Sequence, residues 1–221
     1  MKSSRFEDLS EQVYKALREM ILNGELVPGQ KLVQEALSER LGTSRTPLLA
    51  AFSKLEKEML VELVPRRGAF VKRLSPKELV ELYEIRLRLE PLGAAQAASR
   101  MDQNGEKLLR DVLATHRRAV GEGEASEIRL ADYRFHMAIV GISNNSVLER
   151  ILSSFSIVSK SNQSGLMKPR DKSLSEHEEL FKALTGKDPE LAERLMYGHL
   201  LEARDAAAKL ALNGASEVVG Y

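Results

Sequence analysis

The chain has 221 residues, 43% hydrophobic and 29% charged, with a formal net charge of +1; this is ordinary globular composition, enough for one large domain or two small ones. With no Cys, no Trp and 5% aromatics, disulfides, thiolate metal sites and thiol catalysis are excluded, and any core must be aliphatic. No apolar run approaches the ~18 residues of a membrane span, and the polar stretch Met1–Glu11 argues against a secretory signal, so a cytoplasmic protein without membrane contact is expected.

In chain order, residues 6–22 read as an amphipathic helix, with Leu9, Val13, Leu17, Met20 and Ile21 at helical spacing. Asn23-Gly24 stops it, and Val27-Pro28-Gly29-Gln30 makes a turn. A short helix follows from about Val33 to Leu41, then a break at Gly42-Thr43. A third helix runs to about Glu58, with Ser44 as its N-cap and Pro47 in its first turn. Leu60–Val64 and Ala69–Lys72 are short β-prone runs around Pro65-Arg66-Arg67-Gly68, which is a hairpin signature. Leu74-Ser75-Pro76 marks the boundary between a domain at 1–74 and a second at 75–221. The second reads as about six helices, near 77–100, 103–121, 125–142, 145–165, 172–186 and 188–212. Ser75, Ser126 and Asp188 are candidate caps, and Pro91 is expected to kink or restart the first of these helices. The last residues, Asn213 to Tyr221, are expected to fray. The fold class is therefore mainly α: a winged helix-turn-helix with a small β-hairpin wing, then an all-α antiparallel bundle. Residues 1–74 hold 13 Lys+Arg against 10 Asp+Glu, a balance of +3, which is compatible with a phosphate-facing module.

Two short helices joined at Leu41-Gly42-Thr43-Ser44 form a helix-turn-helix, and the glycine lets the chain turn sharply. The second helix offers Ser44, Arg45 and Thr46 to a major groove. There an Arg can reach guanine O6 and N7 in bidentate fashion, and hydroxyls and helix N-terminal N–H groups suit phosphates. In the wing, Arg66 and Arg67 suit the DNA backbone or minor groove, and Gly68 permits close approach. The run Leu37-Ser38-Glu39-Arg40-Leu41-Gly42-Thr43-Ser44-Arg45-Thr46-Pro47 resembles the core motif of the GntR family of bacterial regulators. Leu55-Glu56 through Leu60-Val61 and Pro65-Arg66-Arg67-Gly68-Ala69-Phe70-Val71 resemble its wing. The chain departs from that family in Leu49-Ala50, where Arg-Glu is usual, which should alter or weaken an operator contact. Thr43, where Val is usual, is a milder departure.

Asp132 and His136 are i and i+4 on one helix and share a face. His177 and His199 lie on two later helices, and three helices of a bundle can aim these groups at one point. One carboxylate and three imidazoles suit zinc, nickel, iron or manganese. The pattern Asp132-Tyr133-Arg134-Phe135-His136, Ser175-Glu176-His177 and Met196-Tyr197-Gly198-His199-Leu200 resembles the metal-binding members of the FadR-related GntR subfamily, with its all-helical FCD domain. Asn145 and Arg86-Leu87-Arg88-Leu89-Glu90 fit the same resemblance. It implies a divalent metal, zinc first among the candidates, held by Asp132, His136, His177 and His199. It also implies a small organic acid on the open metal positions and a homodimer on double-stranded operator DNA. Arg86 is a candidate for the acid's carboxylate or for a salt bridge to Glu90 at i+4. His116 reads as a surface residue. Arg134 turns to another face. The serines Ser153, Ser154, Ser156, Ser159 and Ser161 make a polar helix.

These features point to a DNA-binding transcriptional regulator, a repressor, whose operator binding responds to a carboxylic acid at the metal. A metal-dependent hydrolase using the same four ligands is the alternative from another class, but there is no HExxH, since Phe181 stands where a second His after His177 would fall. A regulator with a purely structural metal is the third possibility. No P-loop or GxGxxG supports a nucleotide cofactor.

Overall fold

The computed structural model describes residues 2–22, 24–161 and 167–218, and describes no side chains at 2–8, 154–161 and 213–218. Asn23, the serines Ser154, Ser156, Ser159 and Ser161, and the end of the tail therefore fall outside what is described. Nine helices and one three-stranded sheet form among the described residues. The chain divides into two compact units, one built on Met1–Arg73 and the other on the chain from Leu74 onward.

The first unit begins with α1 (Lys2–Leu22). Its stripe of Val13, Leu17, Met20 and Ile21 is buried, whereas Leu9 stays exposed. The stripe packs on α3 (Arg45–Lys57), which buries Pro47, Leu48, Ala51, Phe52 and Leu55. Between them come β1 (Lys31–Leu32) and α2 (Gln34–Arg40). Gly24 takes a positive φ of 77° as α1 ends, and the N–H groups of Glu25 and Leu26 bond back to the Met20 carbonyl. The predicted hairpin is β2 (Val61–Val64) with β3 (Gly68–Val71), paired Val61 to Val71 and Val64 to Gly68. The third strand, β1, pairs with the other edge of β3 and was not anticipated. Two residues are too short for a strand period to show. The pairing is made by tertiary hydrogen bonds, Gly29 N–H to Val71 O at 2.8 Å and Val71 N–H to Gln30 O at 2.9 Å.

The second unit comprises α4 (Pro76–Arg100), α5 (Gln103–Glu122), α6 (Ala125–Ile142), α7 (Ser146–Ser161), α8 (Arg170–Thr185) and α9 (Pro189–Val218). Ser75 and Glu78 close a full capping box on α4, with Ser75 N–H to Glu78 Oε2 at 2.7 Å and Glu78 N–H to Ser75 Oγ at 3.2 Å. Asp188 caps α9 by accepting from the Leu191 N–H at 3.0 Å. Two expectations are corrected. Pro91 lies inside α4 without dividing it, because its ring is buried and packing holds the helix together across the lost hydrogen bond. Ser126 lies inside α6; the cap position is Glu124, whose N–H bonds Glu127 at 3.1 Å. The core is aliphatic, as the composition demands: α4 packs chiefly on α9, α5 on α6 and α8, and α7 seats Leu148 and Leu152 against Val140. Gly93 on α4 allows that seat, since a Cβ there would lie 3.2 Å from Leu148.

The two serine caps differ in kind, because Ser44 occupies the N-cap of α3 without a side-chain cap bond. Ser75→Ala is expected to cost about 1 kcal/mol, and Ser44→Ala much less. Urea unfolding of the two variants measures both.

Candidate metal centre and nucleic-acid interface

The turn between α2 and α3 closes with Gly42 N–H on Glu39 O and Thr43 N–H on Ser38 O, and Gly42 takes φ 59°. Ser44, Arg45 and Thr46 are then exposed at the start of α3. Arg45 is held by its own unit: its Nε donates to Gln34 Oε1 at 3.0 Å, and its guanidinium lies 3.7 Å from Glu35. At 68% exposure this ion pair is weak, so the guanidinium is available for exchange onto another acceptor. Leu49, one turn further on, is 47% exposed. At the hairpin tip, Arg66 sits in the left-handed region at φ 64° and Gly68 at φ 103°. Arg66 is exposed, and Arg67 lies over the Phe70 ring at 5.7 Å. The candidate interface is thus two exposed tips of one unit.

In the second unit, Asp132, His136, His177 and His199 converge, with one ligand atom from each lying within 4.8 Å of every other. The three imidazoles are buried and Asp132 is half-exposed. His136 Nε2 is 3.1 Å from His199 Nε2, and His177 Nε2 is 3.3 Å from the same atom. Asp132 Oδ1 lies 3.7 Å from His177 Nε2, and Ser173 donates to that oxygen at 3.2 Å.

Anchors behind the ring cluster set its chemistry. His136 Nδ1 is 2.6 Å from Glu90 Oε2, and Glu90 is buried in a salt bridge with Arg86. His199 Nδ1 is 2.7 Å from Glu176 Oε2, which Lys168 also grips while donating to the His199 carbonyl at 2.9 Å. Burial pushes both carboxyls up, but their cationic and imidazole partners outweigh it. Glu90 is held well below the carboxylate range, and Glu176 falls to about 2. An ionised carboxylate can only accept, so His136 Nδ1 donates to Glu90, while His199 Nδ1 meets both the Glu176 carboxylate and, at 2.8 Å, the Lys168 ammonium. Burial keeps His177 far below the ordinary imidazole value, helped by the neighbouring positive groups. It lowers His199 to about 4 against the pull of Glu176. The Nε2 atoms of His136, His177 and His199 thus face one another at 3.1 and 3.3 Å, and a cation lying between them would take their lone pairs. A four-coordinate ion with ligands at about 2.0–2.1 Å would space neighbouring donors at about 3.3 Å. Donor chemistry and spacing therefore fit a divalent metal.

The structure brings all four sequence-predicted ligands together. It places Arg86 on Glu90, with Nη2 to Oε2 at 3.2 Å, and leaves Arg134 exposed. His116 is corrected: it is fully buried, with Nδ1 3.1 Å from His177 Nδ1. The signal was legible, since Leu109, Leu113, His116 and Val120 share the buried stripe of α5. The anchoring roles of Glu90, Glu176 and Lys168 were missed, because contacts between separate helices leave no local spacing.

Residues 9–71 match the family described as "Bacterial regulatory proteins, gntR family", and residues 81–202 match the FCD domain. The chain is 26% identical over 216 residues to the HTH-type transcriptional repressor RspR of Escherichia coli, covering 92% of this chain and 91% of RspR. It is 32% identical over 142 residues to the Uncharacterized HTH-type transcriptional regulator YdhC of Bacillus subtilis, a match spanning 64% of this chain and 63% of YdhC. The fold is similar to that of E. coli McbR/YncC, with TM-score 0.77 and 22% identity over 91% of this chain and 98% of the other.

Arg86→Ala is expected to destabilise the second unit by about 3–5 kcal/mol, because it strands the buried Glu90 carboxylate. Chemical denaturation without added ligand measures this, and a loss under 1 kcal/mol would show that the pair is not structural. Glu176→Gln is expected to weaken divalent-metal affinity about 10–100-fold by removing an anionic anchor, as read by calorimetric titration.

Proposed function

The chain belongs to the GntR family of bacterial regulatory proteins and is a transcriptional regulator carrying an FCD domain; from that premise we propose a homodimeric repressor, acting in the cytoplasm, whose operator binding is set by a small carboxylic acid at a metal centre. One recognition helix covers too few bases for typical specific affinity, which is why helix-turn-helix proteins read paired half-sites as dimers. Arg45 reads a guanine edge, Ser44 and Thr46 hold phosphates, and Arg66, Arg67 and Gly68 form the wing contact. Leu49 puts an apolar surface four residues from Arg45 on the exposed side of α3, in place of the polar contact usual in the family.

Asp132, His136, His177 and His199 would hold the divalent ion, zinc first, with nickel, iron or manganese as alternatives. When bound, it supplies a Lewis-acid position for the acid's carboxylate. The observation that carries this reading is the convergence of three imidazoles and the Asp132 carboxylate, with the rear nitrogens of His136 and His199 each against a carboxylate. The half-exposed Asp132 gives the cluster its accessible side. Arg86 bears on the acid through Glu90 and His136, or directly if its guanidinium turns. The centre draws on α4, which follows Leu74-Ser75 directly in the chain. Any coupling to DNA therefore has a covalent route through α4, and it requires the acid to bind two states unequally.

Arg45→Ala is expected to cost about 1–3 kcal/mol of operator affinity and to relax preference at one base position, whereas Arg66→Ala weakens all sequences and lowers the salt slope by about one. Anisotropy with operator and scrambled duplexes separates the two; uniform loss in both would remove Arg45 from base readout. His177→Ala and His199→Ala are each expected to lose metal, and with it any response of DNA binding to malate or citrate, while the metal-free proteins still bind operator. A normal acid response in either variant would overturn the effector site, and a stoichiometric metal that no acid perturbs would make the metal structural.

A further inference from the structure

All four histidines of the chain lie in one buried group, yet the four-ligand centre uses three of them. His116, on α5, is fully buried, and its Nε2 has no hydrogen-bond partner. Its Nδ1 lies 3.1 Å from His177 Nδ1. The ring of His177 is stacked on Phe135 with centroids 4.2 Å apart and planes at 19°. Phe135 thus sets the plane of His177, and His116 meets its rear nitrogen.

Two neutral imidazoles at that distance share one proton, and there are two ways to place it. If His116 donates, His177 carries its proton on Nε2, pointing into the cluster, and offers no lone pair. If His177 donates, its Nε2 is bare, and His116 carries an N–H on its unpartnered Nε2. The other two histidine ligands have their rear nitrogens on ionised carboxylates, Glu90 and Glu176. Only His177 has a neutral group behind it.

We propose that His116 is a positioning residue of the metal centre: it accepts the hydrogen bond from His177 Nδ1–H and so keeps the His177 Nε2 bare and turned toward His136, His199 and Asp132. The inference rests on reading the cluster as a metal centre. It also explains a polar residue with an unpartnered nitrogen on the apolar stripe of α5, where a leucine would pack without leaving a polar atom unsatisfied. Stability and metal binding should therefore move in opposite directions when His116 is replaced, which a merely structural residue would not do.

The test uses the full chain stripped of metal and titrated with zinc against a competing chelator. His116→Leu is expected to weaken zinc binding about 10–100-fold, while the melting temperature of the metal-free protein stays level or rises. His116→Asn, whose Oδ1 can accept in place of Nδ1, is expected to recover most of the affinity. In the zinc-loaded wild type, nitrogen NMR of labelled histidines should show His116 protonated at Nε2 and His177 at Nδ1. Unchanged zinc affinity in His116→Leu, or His116 protonated at Nδ1 in the loaded protein, would overturn the inference alone. If His116→Leu fails to fold, the NMR measurement on the wild type decides. A wild type that takes up no zinc overturns the metal reading and this inference with it.

Discussion

Four imidazoles lie buried in a mostly aliphatic bundle, and buried polar groups persist only where they find partners. That requirement organises the second unit. Glu90, being buried, must lie against Arg86 to stay ionised, and it must be ionised to hold the His136 proton on the rear nitrogen. The same logic runs through Lys168, Glu176 and His199. Helices α4, α5, α6, α8 and α9 each place at least one group in this network. Their packing and the donor set are thus one problem, and a shift of any of these helices would misplace a lone pair.

The first unit works by the opposite physics. The side chains proposed to meet DNA stand in water, where ion pairs are weak and exchangeable. Arg45 rests on Gln34 and Glu35, and these contacts cost little to give up. What must be rigid there is the backbone that presents the tips: the α1–α3 core, the positive-φ glycines and the β1–β3 pairing. Polyanion recognition tolerates loose side chains on a firm frame, whereas metal coordination requires the side chains themselves to be fixed.

Where the structure departs from the sequence reading, tertiary contacts override a local rule. Pro91 has the chemistry to kink or restart a helix, but α4 continues through it, with Glu90, Pro91 and Gly93 buried and Leu92 exposed. The strand β1 exists only because β3 offers an edge to pair with. Ser126 has cap chemistry but no cap role, because Glu124 and Glu127 satisfy the helix start first. His116 is polar by type and core by position, and the neighbouring His177 gives its Nδ1 a partner.

The sequence by itself determined the element order, the winged helix-turn-helix and the helical second unit, because hydrophobic period, caps and breakers act over a few residues and survive without tertiary context. It also marked Asp132 and His136 as a pair, since an i, i+4 spacing on one helix is a geometric statement. His177 and His199 could be joined to them only through family resemblance. That the four groups meet, that Arg86 turns to Glu90, and that Glu90, Glu176 and His116 stand behind the three rings were decided by tertiary structure alone. Each of those contacts spans separate helices, except the Arg86–Glu90 turn within α4. There the i, i+4 spacing already permitted the pair, and tertiary packing buried it.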